Sequence, residues 1–193
     1  MPAAIQPQGR RAVFFDRDGT LNVEKTYLYR QEDWAWLPGA VEAIRSVNEF
    51  GFEVVVVTNQ AGISRGLNSE TDVTRLHAWV SANLAECGAR VDAYYICPHH
   101  PNFSGPSECR KPNPGLLQKA AIERSIDLGR SFLVGDKVTD IEAAVAAGCE
   151  PMLVASGYGE SARTQVPSHV AFLASLHELP QILRQRHSPE GMK

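Results

Sequence analysis

The chain has 193 residues, of which 44% are hydrophobic and 21% are charged, and its formal net charge is -3 at pH 7. This length favours one domain with a proper core and leaves little room for two. The net negative charge argues against broad nucleic-acid binding, so an anionic substrate must be attracted by a local group of basic side chains.

The sequence predicts a cytoplasmic protein with no membrane partner. No apolar span is long enough to cross a bilayer, and the segment from Met1 to Arg11 lacks the apolar middle of a secretory signal. In a reducing compartment, cysteines are expected as thiols or metal ligands and not as disulfides. This expectation applies to all four: Cys87, Cys97, Cys109 and Cys149.

The first predicted element is a buried strand over residues 12–15, because this stretch is apolar on both faces. Asp16 and Asp18 follow it directly, and residues two apart on an extended segment point the same way. Two carboxylates this close repel each other unless a divalent cation or a raised pKa relieves the repulsion. An ordinary turn, with Asp and Gly chosen for their backbone preferences, is the alternative.

Helices and strands alternate along the rest of the chain. Asn113 is expected to cap the helix predicted over residues 114–125, with Pro114 at its first position. We also expect flexible tails over residues 1–10 and 188–193, with a single domain over 11–187. The remaining predictions, in chain order, are a loop over 22–37, a helix over 40–50, a strand over 53–57, a helix over 69–87, a strand over 91–96, a loop over 97–112, a helix over 114–125, a strand over 131–134, a helix over 138–147, strands over 152–154 and 170–173, and a last helix over 176–186.

This alternation predicts an α/β fold, a Rossmann-like three-layer sandwich whose parallel central sheet is covered by helices on both faces. Right-handed crossovers bring the carboxyl ends of the first, second and fourth strands to one edge of the sheet. We therefore expect Asp16, Asp18, Thr58 and Asp136 to lie together at this edge.

These side chains suit phosphoryl transfer. The three carboxylates offer the hard oxygen ligands that Mg²⁺ prefers. Thr58 offers a short hydrogen-bond donor, and Lys111 and Lys137 offer positive charge for phosphoryl oxygens. Positioning and charge balance provide most of the catalysis in such reactions, and a carboxylate can itself be the nucleophile, which gives an aspartyl-phosphate.

Four segments in order resemble the motifs of the haloacid dehalogenase superfamily of phosphatases: Asp16-Arg17-Asp18-Gly19-Thr20, Thr58-Asn59, Lys111-Pro112, and Gly135-Asp136-Lys137 with Asp140. The resemblance implies that Asp16 is the nucleophile and Asp18 the general acid and base. It implies Mg²⁺ ligands in Asp16, the backbone carbonyl of Asp18 and Asp136. It also implies that Thr58 and Lys111 steady the transferred phosphoryl group, with Lys137 in the same charge network.

Further segments narrow this resemblance to the D-glycero-D-manno-heptose-1,7-bisphosphate 7-phosphatases: Asp16 to Asn22, Thr58 to Gly66, Cys97 to Pro101 and Cys109 to Pro112. That family removes the 7-phosphate of a sugar bisphosphate on the route to nucleotide-activated heptose for lipopolysaccharide. The gaps after the first motif and the second strand are too short for a cap domain, so a capless monomer is expected. The family pattern places substrate contacts at Glu24, Lys25, Thr26, Tyr27, Thr58, Asn59, Gln60, Ala61 and Arg110.

Arg110 is expected to bind the distal phosphate, because a guanidinium can donate two parallel hydrogen bonds to such an anion. The nearest enzymatic alternative is a histidinol-phosphate phosphatase. A receiver-like signalling domain also uses Asp, Thr, Lys and magnesium, although it lacks the second carboxylate after the first strand. A non-catalytic sugar-phosphate binding module would not need Asp18.

The resemblance also implies a structural zinc ion in the loop after the third strand. The family's pattern is Cys-x-His followed by Cys-x-Cys, and Cys97, His99 and Cys109 match it, whereas Ser107 replaces the fourth ligand. This leaves three alternatives for the fourth ligand position: His100, a water molecule or no ligand. The alternative is a metal-free loop held by its prolines.

Overall fold

The computed structural model describes residues 9–187. The predicted tails therefore lie outside the described residues, apart from Gly9 and Arg10. Arg10 pairs with Ile126 in an isolated bridge and donates its backbone N–H to Ser125 O at 2.8 Å. In the part of the chain that is described, no helix combines the length and the hydropathy needed to cross a membrane.

Six parallel strands form a single sheet in the order β3-β2-β1-β4-β5-β6. The alternating pattern thus correctly predicts the parallel sheet. The strands are β1 (Ala12–Phe15), β2 (Glu53–Asn59), β3 (Ala93–Cys97), β4 (Phe132–Gly135), β5 (Glu150–Val154) and β6 (Ala171–Leu173).

Eight α-helices and four 3-10 helices connect the strands within the described residues. The α-helices are α1 (Ala40–Glu49), α2 (Ala61–Ser64), α3 (Glu70–Glu86), α4 (Pro101–Ser104), α5 (Gly115–Arg124), α6 (Val138–Ala147), α7 (Gly159–Ala162) and α8 (Leu179–His187). The 3-10 helices are Gln31–Asp33, Leu128–Arg130, Arg163–Gln165 and Leu176–Glu178.

Side chains of the central strand alternate between two hydrophobic layers, as a strand covered on both faces requires. Val13 and Phe15 pack in one layer with buried residues of α1 and α8. Ala12 and Phe14 pack in the other with buried residues of α5 and α6. The three-layer arrangement is thus confirmed, and in the described chain no separate cap domain is inserted after β1 or β2.

The predicted start of α5 is one residue too early. The helix begins at Gly115, with Pro114 as the N-cap residue and no side-chain cap. The side-chain amide of Asn113 donates instead to the carbonyl of Ser107 at 2.9 Å. Asn113 is therefore used to close the preceding loop, which the local helix signal does not reveal.

The structure does not support the zinc set predicted at Cys97, His99 and Cys109, and the expectation that no cysteine forms a disulfide is wrong for Cys97 and Cys109. Cys97 ends β3, and the following loop folds back until the two cysteine Cα atoms are 5.5 Å apart, where their sulfurs form a disulfide. Neither sulfur then offers a thiolate to a metal. His99 Nδ1 lies 3.2 Å from Ser104 Oγ, and Ser107 Oγ lies 3.1 Å from Cys109 Sγ. Cys87 and Cys149 are free, as expected.

The chain reverses its direction across the sheet between β1 and β4. From β1 it adds β2 and β3 on one side, and it then returns to add β4, β5 and β6 on the other. Loops that leave adjacent strands at such a point diverge and open a crevice at the carboxyl ends of the strands, where open α/β sheets bind ligands. Asp16 and Asp136 follow the two strands that border this crevice.

Candidate active site

Three buried carboxylates converge at the carboxyl end of the sheet. Ligand oxygens of Asp16, Asp136 and Asp140 all lie within 4.8 Å of one another. Asp16 is 4% exposed, and the other two are fully buried. Asp140 comes from the first turn of α6 and also accepts the backbone N–H of Lys137 at 3.0 Å, so it caps the helix that follows β4.

Lys111 supplies the positive charge inside this cluster. Its ammonium donates to Asp16 Oδ1 at 2.8 Å and to the Val57 carbonyl at 2.9 Å, and it lies 2.6 Å from Asp140 Oδ1. Burial alone would lower the pKa of Lys111, but the charges of Asp140 and Asp16 outweigh it and raise the pKa. Lys111 is therefore charged and fixed by three acceptors.

The carboxyl groups of Asp16 and Asp136 have opposite pKa shifts. Burial would raise the pKa of Asp16, but Lys111 and then Lys137 lower it. Burial, followed by the charge of Asp16, raises the pKa of Asp136 to about 8. The protein therefore keeps Asp16 ionised, whereas the repulsion at Asp136 is only partly offset by Lys137.

The surroundings of Asp136 fit a bound divalent cation. Asp136 Oδ2 accepts the backbone N–H of Tyr158 at 2.9 Å, whereas the buried Oδ1 has no hydrogen-bond partner among the described residues. Oxygen donors that repel each other are what Mg²⁺ binds. Gly157 and Gly19 allow the backbone to approach this carboxylate, since a Cβ on either glycine would lie 2.1–2.2 Å from Asp136 Oδ2.

Asp18 lies beside this cluster, with its side chain held by neighbours. Its carboxylate accepts from Asn22 Nδ2 at 3.0 Å and from Gln60 Nε2 at 2.9 Å, and it is paired with Arg17. Gln60 Nε2 also donates to Thr58 Oγ1 at 2.8 Å. The structure therefore brings Asp18 and Thr58 together through one amide.

Lys137 links the cluster to the loop after β1. Its ammonium donates to Glu24 at 2.9 Å and lies 3.4 Å from the carbonyl of Asp18 and 4.0 Å from Asp16 Oδ2. Burial would lower the pKa of Lys137, but the surrounding acids, first Asp16, raise it. A permanent cation therefore faces the open side of Asp16.

A cavity of about 230 Å³ opens over Asp16, Asp18 and the two lysines, and Asp136 is not among its lining residues. Arg110 is not part of its described lining, because its guanidinium donates to the carbonyl of His99 at 2.9 Å. The other predicted contact residues do line it. The full lining is Asp16, Asp18, Glu24, Lys25, Thr26, Tyr27, Thr58, Asn59, Gln60, Ala61, Lys111, Lys137, Thr139, Asp140 and Tyr158.

Comparison with known proteins identifies the family. The D-glycero-beta-D-manno-heptose-1,7-bisphosphate 7-phosphatase of Yersinia pestis is 40% identical over 182 residues, which cover 91% of this chain and 96% of that protein. The enzyme of the same name from Escherichia coli K12 is 38% identical over 184 residues, with 92% and 96% coverage. The chain belongs to this family of haloacid dehalogenase phosphatases.

Two further comparisons agree with this assignment. A family model described as "HAD-hyrolase-like" matches residues 108–179. The crystal structure of D,D-heptose 1.7-bisphosphate phosphatase from B. bronchiseptica, complexed with magnesium and phosphate, superposes with a TM-score of 0.84 at 33% identity, and the match covers 91% of this chain and 99% of that one. The chain is thus a phosphatase with the haloacid dehalogenase fold.

Sequence reasoning missed two residues of this phosphatase pocket, Thr139 and Tyr158. Tyr158 follows β5, and its backbone N–H holds Asp136 while its ring lies 5.1 Å from the ammonium of Lys137. A usable signal was present, because Ser156-Gly157-Tyr158-Gly159 follows a predicted strand at the same edge of the sheet. Thr139 carries no comparable signal beyond its place between Lys137 and Asp140.

Proposed function

We propose that this phosphatase removes the 7-phosphate of D-glycero-D-manno-heptose 1,7-bisphosphate in a magnesium-dependent reaction through an aspartyl-phosphate. The observation that carries the chemistry is the convergence of Asp16 and Asp136 within 4.8 Å, with Lys111 fixed on Asp16. The substrate is proposed from the relatives' names, since the chain aligns with them over nearly its full length.

Asp16 is the proposed nucleophile. Lys111 and Lys137 lower its pKa, so its carboxylate is ionised, and the hydrogen bond from Lys111 fixes its orientation. Attack of the carboxylate on phosphorus forms the acyl phosphate and breaks the bond from phosphorus to the sugar oxygen. Lys111 and Lys137 remain beside the transferred group and balance the charge on its oxygens.

Asp18 is the proposed proton donor and acceptor. The departing sugar oxygen takes a proton from Asp18, and in the second step Asp18 takes a proton from the water that attacks the acyl phosphate. Inorganic phosphate leaves, and Asp16 is regenerated. Asp18 suits this role because it lines the same cavity as Asp16, with its carboxylate oriented by three side chains.

The residues proposed to hold Mg²⁺ are Asp16, the backbone carbonyl of Asp18 and Asp136. Bound there, the ion would supply charge neutralisation for the acids and for the phosphoryl oxygens. Asp140, which is in the same cluster, is paired with Lys111 and is proposed to orient that lysine.

The lining of the cavity suits a small substrate with two anionic groups. Lys25 and Lys137 contribute positive charge, and Glu24, Thr26 and Tyr27 contribute polar contacts around the opening. Arg110 remains the proposed ligand of the distal phosphate. Only Nη1 of its guanidinium donates to the carbonyl of His99, and a guanidinium has further N–H donors for a phosphate. We also propose that the enzyme is a monomer and works in the cytoplasm. Its reaction would then be a step on the route to lipopolysaccharide precursors.

Purified protein loaded with Mg²⁺ tests this function by phosphate release from both anomers of the heptose bisphosphate and from histidinol phosphate. We expect kcat/KM to be highest for one heptose anomer. Faster turnover of histidinol phosphate would overturn the substrate assignment and leave the chemistry intact. A stable phospho-aspartate without turnover would overturn the hydrolytic function itself.

A further inference from the structure

Arg17 is a buried cation that the reaction scheme does not use. Its side chain is 1% exposed, although it lies between two residues of the active site. Arg17 Nη2 donates to both carboxylate oxygens of Asp18, at 2.8 and 3.0 Å, and Nε donates to Oδ1 at 3.1 Å. A planar guanidinium that contacts both oxygens fixes the orientation of the carboxylate as well as neutralising its charge.

The opposite side of Arg17 is anchored in the core. Nη2 also donates to the carbonyl of Leu28 at 2.7 Å, and Nη1 lies 3.4 Å from His77 Nε2. His77 is 4% exposed, and its ring stacks on Tyr94 with centroids 4.2 Å apart and planes 16° from parallel. The hydroxyl of Tyr94 lies 3.0 Å from Ser81 Oγ.

The chemistry of this contact fixes the state of His77. A guanidinium has only donors, so Nε2 of His77 must be the acceptor, and the ring carries its proton on Nδ1. Burial, and then the charge of Arg17, lower the pKa of His77 to about 3. The neutral ring is held in place between α3 and β3. It therefore gives the guanidinium of Arg17 a fixed contact.

Asp18 is consequently held from two sides. Arg17 holds it from the core, and Gln60 donates to Asp18 Oδ2 from the side of Thr58, which lines the cavity. A proton donor works only when its acidic oxygen is held within hydrogen-bond reach of the leaving atom. A carboxylate that rotates freely would spend much of its time out of that position.

We propose that Arg17 is a positioning residue, which holds the carboxylate of Asp18 in the orientation for proton transfer while His77 supports the guanidinium. This inference rests on the proposed role of Asp18. A purely structural role would make Arg17 a buried ion pair, whose weakening lowers stability and affects every substrate alike.

Substrates with different leaving groups distinguish these two roles. An alkoxide needs a proton in order to leave, whereas p-nitrophenolate is stable enough to leave without one. The ratio kcat/KM includes the departure of the leaving group, and it excludes the later hydrolysis of the acyl phosphate. Looser positioning of Asp18 therefore lowers kcat/KM for a sugar phosphate and has little effect on kcat/KM for p-nitrophenyl phosphate.

The test is a double-mutant cycle in the Mg²⁺-loaded protein, with Arg17→Lys, Asp18→Asn and the double variant assayed on both substrates. We expect Arg17→Lys to lower kcat/KM for the sugar phosphate by about tenfold or more, as part of the roughly 10²–10⁴-fold contributed by proton transfer. We expect less than about a threefold loss on p-nitrophenyl phosphate. In the Asp18→Asn background, Arg17→Lys should have no further effect.

Equal losses on the two substrates, or an undiminished effect of Arg17→Lys in the Asp18→Asn background, would overturn the positioning role. An Asp18→Asn variant with wild-type kcat/KM on the sugar phosphate would instead reject the proposed chemistry, and the role of Arg17 with it. These results are distinguishable, because the second appears in a single variant that leaves Arg17 intact.

His77 provides a second test if Arg17→Lys does not fold. His77→Gln keeps a neutral acceptor for the guanidinium, whereas His77→Leu removes it. We expect His77→Leu to lower kcat/KM selectively for the sugar phosphate, and His77→Gln to retain more of it. Equal losses in the two variants, or equal losses on the two substrates, would overturn the proposal.

Discussion

The carboxylates of Asp16 and Asp136 follow the adjacent strands β1 and β4, and their ligand oxygens lie within 4.8 Å of each other. Burial and the charge of Asp16 raise the pKa of Asp136 to about 8, whereas two lysines keep Asp16 ionised. Either a proton on Asp136 or a bound cation relieves this repulsion. Protonation and metal binding at this pair should therefore compete.

Magnesium affinity should increase with pH as a result. Below its pKa of about 8, Asp136 must release a proton before it can bind the ion. We expect the dissociation constant for Mg²⁺ to fall between about pH 6 and pH 8, by at most about tenfold per pH unit, and then to level off. Calorimetric titration of the metal-free protein measures this. Asp136→Asn should bind weakly at every pH, and a flat profile for the wild type would contradict the account.

Gly157 is expected to be essential to the metal site because there is no room for a side chain at this position. A Cβ there would lie 2.1 Å from Asp136 Oδ2, and φ is +57°. Gly157→Ala should therefore displace Asp136 and weaken Mg²⁺ binding by about tenfold or more, the size of effect typical for disturbing a ligand's support.

Gly51→Ala is the matched control for this substitution. Gly51 has a similar φ of +75°, but a Cβ there would meet no atom within 4 Å. The control should lose about 1 kcal/mol of stability from the backbone alone and keep its Mg²⁺ affinity. Equal Mg²⁺ affinities in the two variants would show that crowding at Asp136 is unimportant.

The sequence predicted the carboxylates better than their surroundings. Asp16 and Asp136 each follow an apolar run that forms a buried strand, so the parallel sheet alone brings them together. The sequence places Tyr158 at the same edge of the sheet, but its hydrogen bond to Asp136 depends on β5 lying next to β4, and this adjacency is known only from the strand order. The bond between Cys97 and Cys109 depends on how the loop folds back, which local composition does not determine.

Lys111 should be required for stability as well as for activity. Its side chain is 2% exposed, and Lys111→Met would leave Asp140 buried without its cation and Asp16 with Lys137 alone. Removing one partner of a buried ion pair typically costs about 3–5 kcal/mol. We expect a loss of this size in the free energy of unfolding of the metal-free protein, measured by urea denaturation.

Lys119→Met is the control for Lys111→Met. Lys119 is 62% exposed and lies 3.9 Å from Glu123 on the same helix. Its substitution should change stability by no more than about 0.5 kcal/mol. Similar losses for the two variants would contradict the central place of Lys111 in the cluster.

His77 should make the protein less stable in acid. Its pKa is lowered from 6.5 to about 3 in the folded protein, so between these values the unfolded chain binds the extra proton. Stability should therefore fall as pH decreases through this window, by up to about 1.4 kcal/mol per pH unit. Denaturation of His77→Gln should show a shallower acid slope, whereas His169→Gln, at an exposed position, should match the wild type. Identical slopes in all three proteins would contradict a buried neutral His77.

The most direct test of the mechanism is to identify the residue that becomes phosphorylated. The Mg²⁺-loaded enzyme would be mixed with heptose bisphosphate carrying ³²P at the 7-position, quenched in acid within one turnover and digested for mass spectrometry. We expect a base-labile phosphoryl group on Asp16, and no label in Asp16→Asn. Turnover with no labelled intermediate, or a label on any other residue, would contradict it.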